Sequence, residues 1–252
     1  MNSTRLRSRV ARSNFLSSKA LSSVVPRKAI VLISGGLDSA VAAAVAKSEG
    51  FDILALTIDY GQRHRREIKA AKDVAKALGA VEHRVIEVPL AEFGGSAITD
   101  LKMNVPTSRS KGEIGRDIPA TYVPGRNIVF LSIALSWAEA SDSEAVFIGA
   151  HSVDYSGYPD CRPEFLEEFR SLSVLGTRRG VQGRAIRIEA PLILMDKKQI
   201  IQRGKELGVP FQLTWSCYIG GERACGKCDA CLIRSRAFEE AGLEDPIEYE
   251  RR

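Results

Sequence analysis

Ala29-Ile30-Val31-Leu32-Ile33-Ser34-Gly35-Gly36-Leu37-Asp38-Ser39 is the stretch that decides the fold. Five apolar residues in a row read as a buried strand, and the alanine-rich run from Ala40 to Glu49 reads as a helix. The turn between them holds two adjacent glycines and two serines. A strand–turn–helix junction of this kind points backbone N–H groups at an anion, and the helix start adds partial positive charge. The glycines let the chain approach a phosphate closely, while Ser34 and Ser39 supply hydroxyl donors. It is not a Walker A loop, because the terminal Gly-Lys-Ser/Thr is absent and no lysine stands in the turn. A glycine pair after a strand also occurs as a plain structural turn. The full hexapeptide is the more specific signal.

The form Ser-Gly-Gly-x-Asp-Ser over residues 34–39 resembles the pyrophosphate loop of the ATP-pyrophosphatase (PP-loop) superfamily, whose members cleave ATP between its α and β phosphates. That resemblance implies nucleotide contacts from Ser34, Gly35, Gly36, Leu37, Asp38 and Ser39.

From residue 29 onward strands and helices alternate, which predicts a parallel sheet covered on both faces. Strands are expected at 29–33, 53–58, 82–88, 145–148 and near 185–188. Helices are expected at 38–49, at 64–78 with Ile68, Ala71, Val74, Ala75 and Leu78 facing inward, at 128–140, and from Asp196 onward. Asp196 and Gln199 have capping-box spacing. The 128–140 run is nearly all apolar yet too short to span a bilayer, so it reads as a core helix. Residues 89–122 carry no sustained period, and a stretch of that kind is usually functional or mobile. Helix is expected again after Cys231. The expected organisation is a basic extension over 1–28, an α/β domain over 29–210 and a C-terminal metal-binding and helical segment over 211–252.

The chain's formal charge of +5 suggests a nucleic-acid binder, but its distribution argues against one. Residues 1–28 hold seven Lys/Arg and no acidic residue, leaving 29 basic against 31 acidic residues in the remainder. A near-neutral body does not grip a phosphate backbone by charge. The basic stretch lacks the continuous apolar core of a secretory signal and reads as a disordered extension or an upstream start; a transit-type presequence is the alternative. The expected compartment is the cytoplasm.

Cys217, Cys225, Cys228 and Cys231 lie within fifteen residues as C-x7-C-x2-C-x2-C. Four thiolates this close suit a tetrahedral structural zinc with no open position. An iron–sulfur cluster is the rival, since x2-x2 spacing occurs there too. Cys161 stands apart and reads as a buried or pocket thiol.

Other candidates sit at strand ends, where open α/β sheets bind ligands. Asp59, Tyr60 and Gln62 follow the second strand and are placed to meet adenosine. The run Arg63-His64-Arg65-Arg66 reads mainly as a solvated face, with one member able to reach a phosphate. Arg126, in a Pro-Gly turn, is either a clamp for phosphate or carboxylate or a structural residue, and Asn127 reads as an N-cap. Residues 149–163 are dense in polar and aromatic side chains. There Tyr155 and Tyr158 can stack on a heterocycle, Asp154 or Asp160 can accept from a guanine-like edge, and Arg162 can hold an acid. Lys197 and Lys198 open a helix and are either surface lysines or partners of a triphosphate.

Taken as an ordered set, SGGLDS (34–39), DYGQ (59–62), YVPGRN (122–127), DYSGYPDCR (154–162), TWSCY (214–218) and CGKCDAC (225–231) resemble the family of 7-cyano-7-deazaguanine synthases, which form a nitrile in queuosine precursor synthesis. The resemblance covers about 29–237. It implies a Rossmann-like, doubly wound α/β fold of the adenine nucleotide alpha hydrolase type with a C-terminal helical zinc-binding segment. It also implies one structural Zn2+ per chain on the four cysteines, ATP with Mg2+ as co-substrate, and a small-molecule acid and ammonia as the other substrates. Neither nucleic acid nor membrane is expected as a partner; a homodimer is. Ser34, Asp38, Ser39 and Arg126 are the catalytic candidates, with Asp59, Tyr60, Gln62 and Lys197 added on the nucleotide side. Asp154, Tyr155, Tyr158, Asp160 and Arg162 are the candidates on the substrate side. Rival readings are a tRNA-thiolating enzyme with the same loop, another amide-forming ligase of the superfamily, and a zinc-ribbon binding module on a degenerate nucleotide fold.

Overall fold

The computed structural model describes residues 26–110, 112–114, 117–151 and 157–250. Strands β1 (Lys28–Leu32), β2 (Asp52–Asp59), β3 (Glu82–Glu87), β4 (Ala145–Phe147) and β5 (Arg187–Glu189) form one parallel sheet in the order β3-β2-β1-β4-β5. Val31 pairs with Ala55 on one side and with Phe147 on the other. The chain builds outward from β1 to β3, then crosses back to lay β4 on the free side of β1. The carboxyl ends of β1 and β4 therefore flank a topological switch point, where open α/β sheets form a ligand crevice.

Alternation along β1 divides the core. Ala29 and Val31 face a layer of α1 (Leu37–Ser48), α2 (Arg66–Ala77) and α6 (Lys197–Glu206), joined by Ala237 and Phe238 of α7 (Asp229–Glu240). Ile30 and Leu32 face α3 (Arg126–Ala140) and α4 (Pro163–Gly176). Both faces of β1 are buried, which is why its sequence is a continuous apolar run rather than an alternating one. Each expected strand forms within two residues of its expected bounds, and Ile68, Ala71, Val74, Ala75 and Leu78 are all buried.

Helix ends differ more. The capping box of α6 forms as expected: the Gln199 N–H donates to Asp196 Oδ1 at 2.8 Å, and the Asp196 N–H donates to Gln199 Oε1 at 2.9 Å. Asn127 is not the N-cap of α3. Gly125 takes that position in the left-handed region, and Asn127 lies inside the first turn, donating through Nδ2 to the Asp160 carbonyl at 3.1 Å. α4 and the short α5 (Arg178–Val181) fall where no element was expected. The start signal was there, since Pro163 occupies the first turn of α4. α7 begins at Asp229, before Cys231 rather than after it.

Among the described residues of 89–122 there is a 3-10 turn at Leu90–Phe93 and no helix or strand beyond it except a bridge from Thr107 to Cys228. Side chains from elsewhere fasten this long segment. The Arg63 guanidinium donates to the carbonyls of Ala97, Asp100 and Met103 at 3.2, 2.9 and 2.6 Å. Arg66 lies 3.8 Å over the Trp215 ring and donates to the carbonyls of Gly221 and Glu222. Arg65 and Arg66 of the 63–66 run are exposed, as a solvated face requires, but Arg63 and Arg66 also staple distant loops, satisfying carbonyls that no ladder reaches. No described helix is long and apolar enough to cross a membrane.

Candidate functional site

The turn after β1 is held from within. The Ser34 N–H donates to Ser39 Oγ at 3.2 Å, the Gly36 N–H donates to Ser34 Oγ at 3.2 Å, and Ser39 Oγ donates to the Gly36 carbonyl at 3.0 Å. Gly36 caps α1 without any side-chain bond to the first-turn amides, which leaves them free for an anion. Gly35 has φ +85°, and a Cβ there would stand 2.3 Å from the Glu67 carbonyl oxygen and 2.7 Å from the Ala71 nitrogen. Glycine is required on both counts. Gly149 plays the matching part after β4, since a Cβ there would meet the backbone of Asp38 and Ser39 at 2.9 Å.

The loop opens on a cavity of about 370 Å³ at the switch point, within the usual range for small-molecule sites. Ser34, Gly36, Leu37, Asp38 and Ser39 line it, as do Tyr60, Gln62, Arg126, Tyr158 and Lys197. Lys197 Nζ donates to both Asp38 oxygens at 2.5 and 2.6 Å, and lies 2.8 Å from His151 Nε2. Burial alone would raise the Asp38 carboxyl; Lys197 and His151 outweigh it and hold the group well below the usual carboxylate range. The result is an ionised Asp38–Lys197 pair beside the loop, with cationic and anionic functions both within reach of a bound phosphate.

The other wall is aromatic. Phe130 tilts on Tyr60 at 5.5 Å, Tyr122 on Tyr158 at 6.0 Å, and the Arg126 guanidinium sits 5.9 Å from the Tyr60 ring centre. Glu67, in the first turn of α2, also lines the cavity. Burial pushes its carboxyl up to about 7 against the opposing pull of Arg126. Tyr60 is likewise raised, first by burial and then by the charge of Glu67.

Several expected residues are placed elsewhere. Asp59 does not line the cavity; its carboxylate pairs with Arg65 on the outer side of the β2–α2 turn. Asp160 is buried and accepts the Asn127 N–H at 2.8 Å, so its carboxylate caps α3, where the orphan amides of a helix start favour an anion. Arg162 is exposed as the residue preceding α4 and does not line the cavity. Asp154 and Tyr155 lie outside the described residues. Sequence reasoning passed over Glu67 and His151 as individual residues. Glu67 directly follows Arg63–Arg66, a run read for its positive charges, and nothing local marks it as facing inward.

Cys217, Cys225, Cys228 and Cys231 are all buried, and their sulfurs lie within 4.8 Å of one another. The N–H groups of Lys227 and Cys228 both donate to Cys225 Sγ at 3.3 Å, and that of Cys225 to Cys217 Sγ at 3.4 Å. Amides aimed at sulfur favour thiolate, so the donor set and its outer shell fit a metal ion. The cluster adjoins the cavity through Asp229 and Ala230, which line it. Asp229 is gripped by the Arg109 guanidinium through both oxygens, and Arg109 also lines the cavity. Beside the cluster, His64 meets the Trp215 ring edge-on at 6.4 Å, and its buried Nδ1 has no hydrogen-bond partner.

Residues 28–242 match the family model described as "Queuosine biosynthesis protein QueC". A protein of Anaeromyxobacter dehalogenans named 7-cyano-7-deazaguanine synthase is 52% identical over 225 residues, covering 88% of this chain and 96% of that one. Proteins of the same name from Desulfatibacillum aliphaticivorans and Cellvibrio japonicus are 52% and 51% identical, over 91% and 88% of this chain and 99% and 98% of their own lengths.

Proposed function

The chain belongs to the QueC family of queuosine biosynthesis proteins, and from that premise we propose that it is a 7-cyano-7-deazaguanine synthase. The observation that carries the reading is the pairing of an open-amide Ser34–Ser39 loop with an aromatic, acid-bearing cavity at the switch point. The carboxylate of 7-carboxy-7-deazaguanine is a poor electrophile. Its oxygen attacks the α phosphorus of ATP, pyrophosphate leaves, and an acyl adenylate forms. Ammonia displaces AMP and gives the primary amide. The amide oxygen is adenylated by a second ATP, and loss of AMP and a proton yields the nitrile.

The loop amides and the Ser34 and Ser39 hydroxyls bind the phosphates, where they also stabilise the charge that builds on the departing pyrophosphate. Lys197, released from Asp38, turns to the same phosphates. Arg126 holds the acid in line with the α phosphorus. Tyr60, Gln62 and Leu37 flank the nucleotide, Tyr158 stacks on the heterocycle, and Asp154 and Tyr155, outside the described residues, are further candidates for that substrate. Asp38 would hold Mg2+, which would supply charge neutralisation on the phosphates. Cys217, Cys225, Cys228 and Cys231 would hold a structural Zn2+ with all four sulfurs, which would brace the segment that carries Asp229 to the cavity wall. We place the enzyme in the cytoplasm as a homodimer that acts on free small molecules and not on nucleic acid. Incubation with 7-carboxy-7-deazaguanine, ammonium, Mg2+ and ATP, with products identified by mass, is expected to give the nitrile and two AMP per turnover. ADP as the nucleotide product, or no turnover, sinks the reading.

A further inference from the structure

The cavity wall carries three described carboxylates: Asp38, Glu67 and Asp229. Two are occupied by the protein itself. Asp38 is held by Lys197 through both oxygens, and Asp229 by Arg109 through both. Asp160, which a sequence reader would nominate, spends one oxygen on the α3 amides and does not line the cavity. Glu67 differs from all of these. Its carboxylate has no hydrogen bond and no ion pair among the described residues, and the half-buried side chain faces the cavity. Arg126 opposes it electrostatically without forming an ion pair, so the two charges face the cavity as separate binding groups.

A carboxylate that faces a closed-in cavity without a donor gains most from a ligand that supplies one. The ligand must therefore bring N–H groups to Glu67. It must also bring an anionic group to Arg126, and a flat body to lie among Tyr60, Phe130 and Tyr158. A guanine-type edge offers two parallel donors, the ring N–H and the exocyclic amino group, and a carboxylate with two free oxygens is their complement. On the reading of function given above, we infer that Glu67 is the residue that recognises the amidine-like edge of the deazaguanine, while Arg126 takes the carboxylate at its other end. Glu67 is then the specificity-determining group: an analogue without the exocyclic amino group leaves one of its oxygens unpaired.

The test compares 7-carboxy-7-deazaguanine with its analogue lacking the 2-amino group, on the full chain and on E67Q and D154N. Equilibrium binding without ATP and AMP release with ATP and ammonium are both measured. E67Q puts an amide donor against a donor edge, and is expected to lose about 100-fold in kcat/KM for the deazaguanine acid. Discrimination between the two acids is expected to collapse in E67Q while KM for ammonium stays unchanged. Zinc content and cooperative thermal unfolding are expected to be kept. If E67Q keeps the discrimination, or if D154N abolishes it while E67Q does not, Glu67 is not the reader. A raised KM for ammonium with unchanged binding of the acid equally overturns the assignment, in favour of an ammonium site. An unmodified chain that neither binds nor turns over the acid overturns the function itself. Turnover that E67Q leaves untouched overturns the Glu67 assignment alone.

Discussion

Asp38 and Glu67 are both acids in the same cavity, and their surroundings drive them in opposite directions. Lys197 and His151 keep Asp38 ionised, whereas Glu67, with no donor nearby, is pushed up to about 7. The second shift has a consequence for stability. A group whose carboxyl is raised in the folded state binds its proton more tightly there than in the unfolded chain. Its contribution is therefore complete below the unfolded value of 4.5 and is lost as pH rises toward about 7. In the ligand-free protein, E67Q is expected to flatten this part of the pH–stability curve. Melting temperatures recorded at half-unit steps should show the variant overtaking the unmodified chain as pH approaches 7. A constant difference between the two across that range contradicts the assignment of Glu67 as a desolvated acid.

At the scale of elements, the junction of β1 and α1 depends on close packing against α2. Gly35 touches the α2 backbone, which cannot yield as a flexible side chain would. Gly35→Ala combines a positive φ with a backbone clash and is expected to cost at least ~2 kcal/mol, with loss of ATP binding measured by calorimetry. A folded variant that still binds ATP would show that the loop can shift without harm. Elements of this kind were legible because their signals are local. The apolar run of β1, the alanine face of α1 and the Asp196–Gln199 spacing each lie within a few consecutive residues. α4 escaped notice despite Pro163, because its buried positions, Leu166, Phe169 and Ser173, mix an apolar pair with a hydroxyl and leave Leu172 and Leu175 exposed. The hydrophobic pattern there does not mark a single inward face.

At the scale of the whole molecule, the C-terminal segment is part of the cavity rather than an appendage to it. The Trp215 backbone N–H donates to the Gly35 carbonyl at 2.8 Å, tying the cysteine region to the phosphate loop. The Arg234 guanidinium, 2% exposed, donates to Asp245 at 2.8 and 2.9 Å and to Thr214 Oγ1 at 2.7 Å, and Tyr249 adds a third bond to Asp245 at 2.6 Å. Arg234→Met leaves Asp245 buried without its cation and is expected to cost about 3–5 kcal/mol. Scanning calorimetry should record a fall of roughly 6–20 °C for that loss in a chain of this size. Metal removal acts on the same region. Chelation under reducing conditions is expected to release one zinc per chain, shift the fluorescence of the buried Trp215 and abolish AMP release, with recovery on adding zinc back. Full activity after complete chelation would assign the cysteines another role.

The sequence by itself determined the five strands, the helices other than α4 and α5, the anion-binding turn and the metal-competent cysteines, because each is written in contiguous residues with a fixed period or spacing. The tertiary structure alone decided which polar side chains serve a ligand and which serve the fold. Arg63 reaches carbonyls some forty residues away, Arg109 finds Asp229 120 residues on, and Lys197 meets Asp38 across 159. Asp59 and Asp160 were taken up by Arg65 and by the amides of α3, while Glu67 was left with nothing but the cavity. A charged side chain acquires its role from the partner that neutralises it. Where that partner is distant along the chain, the packing of the sheet and its helices brings the two together.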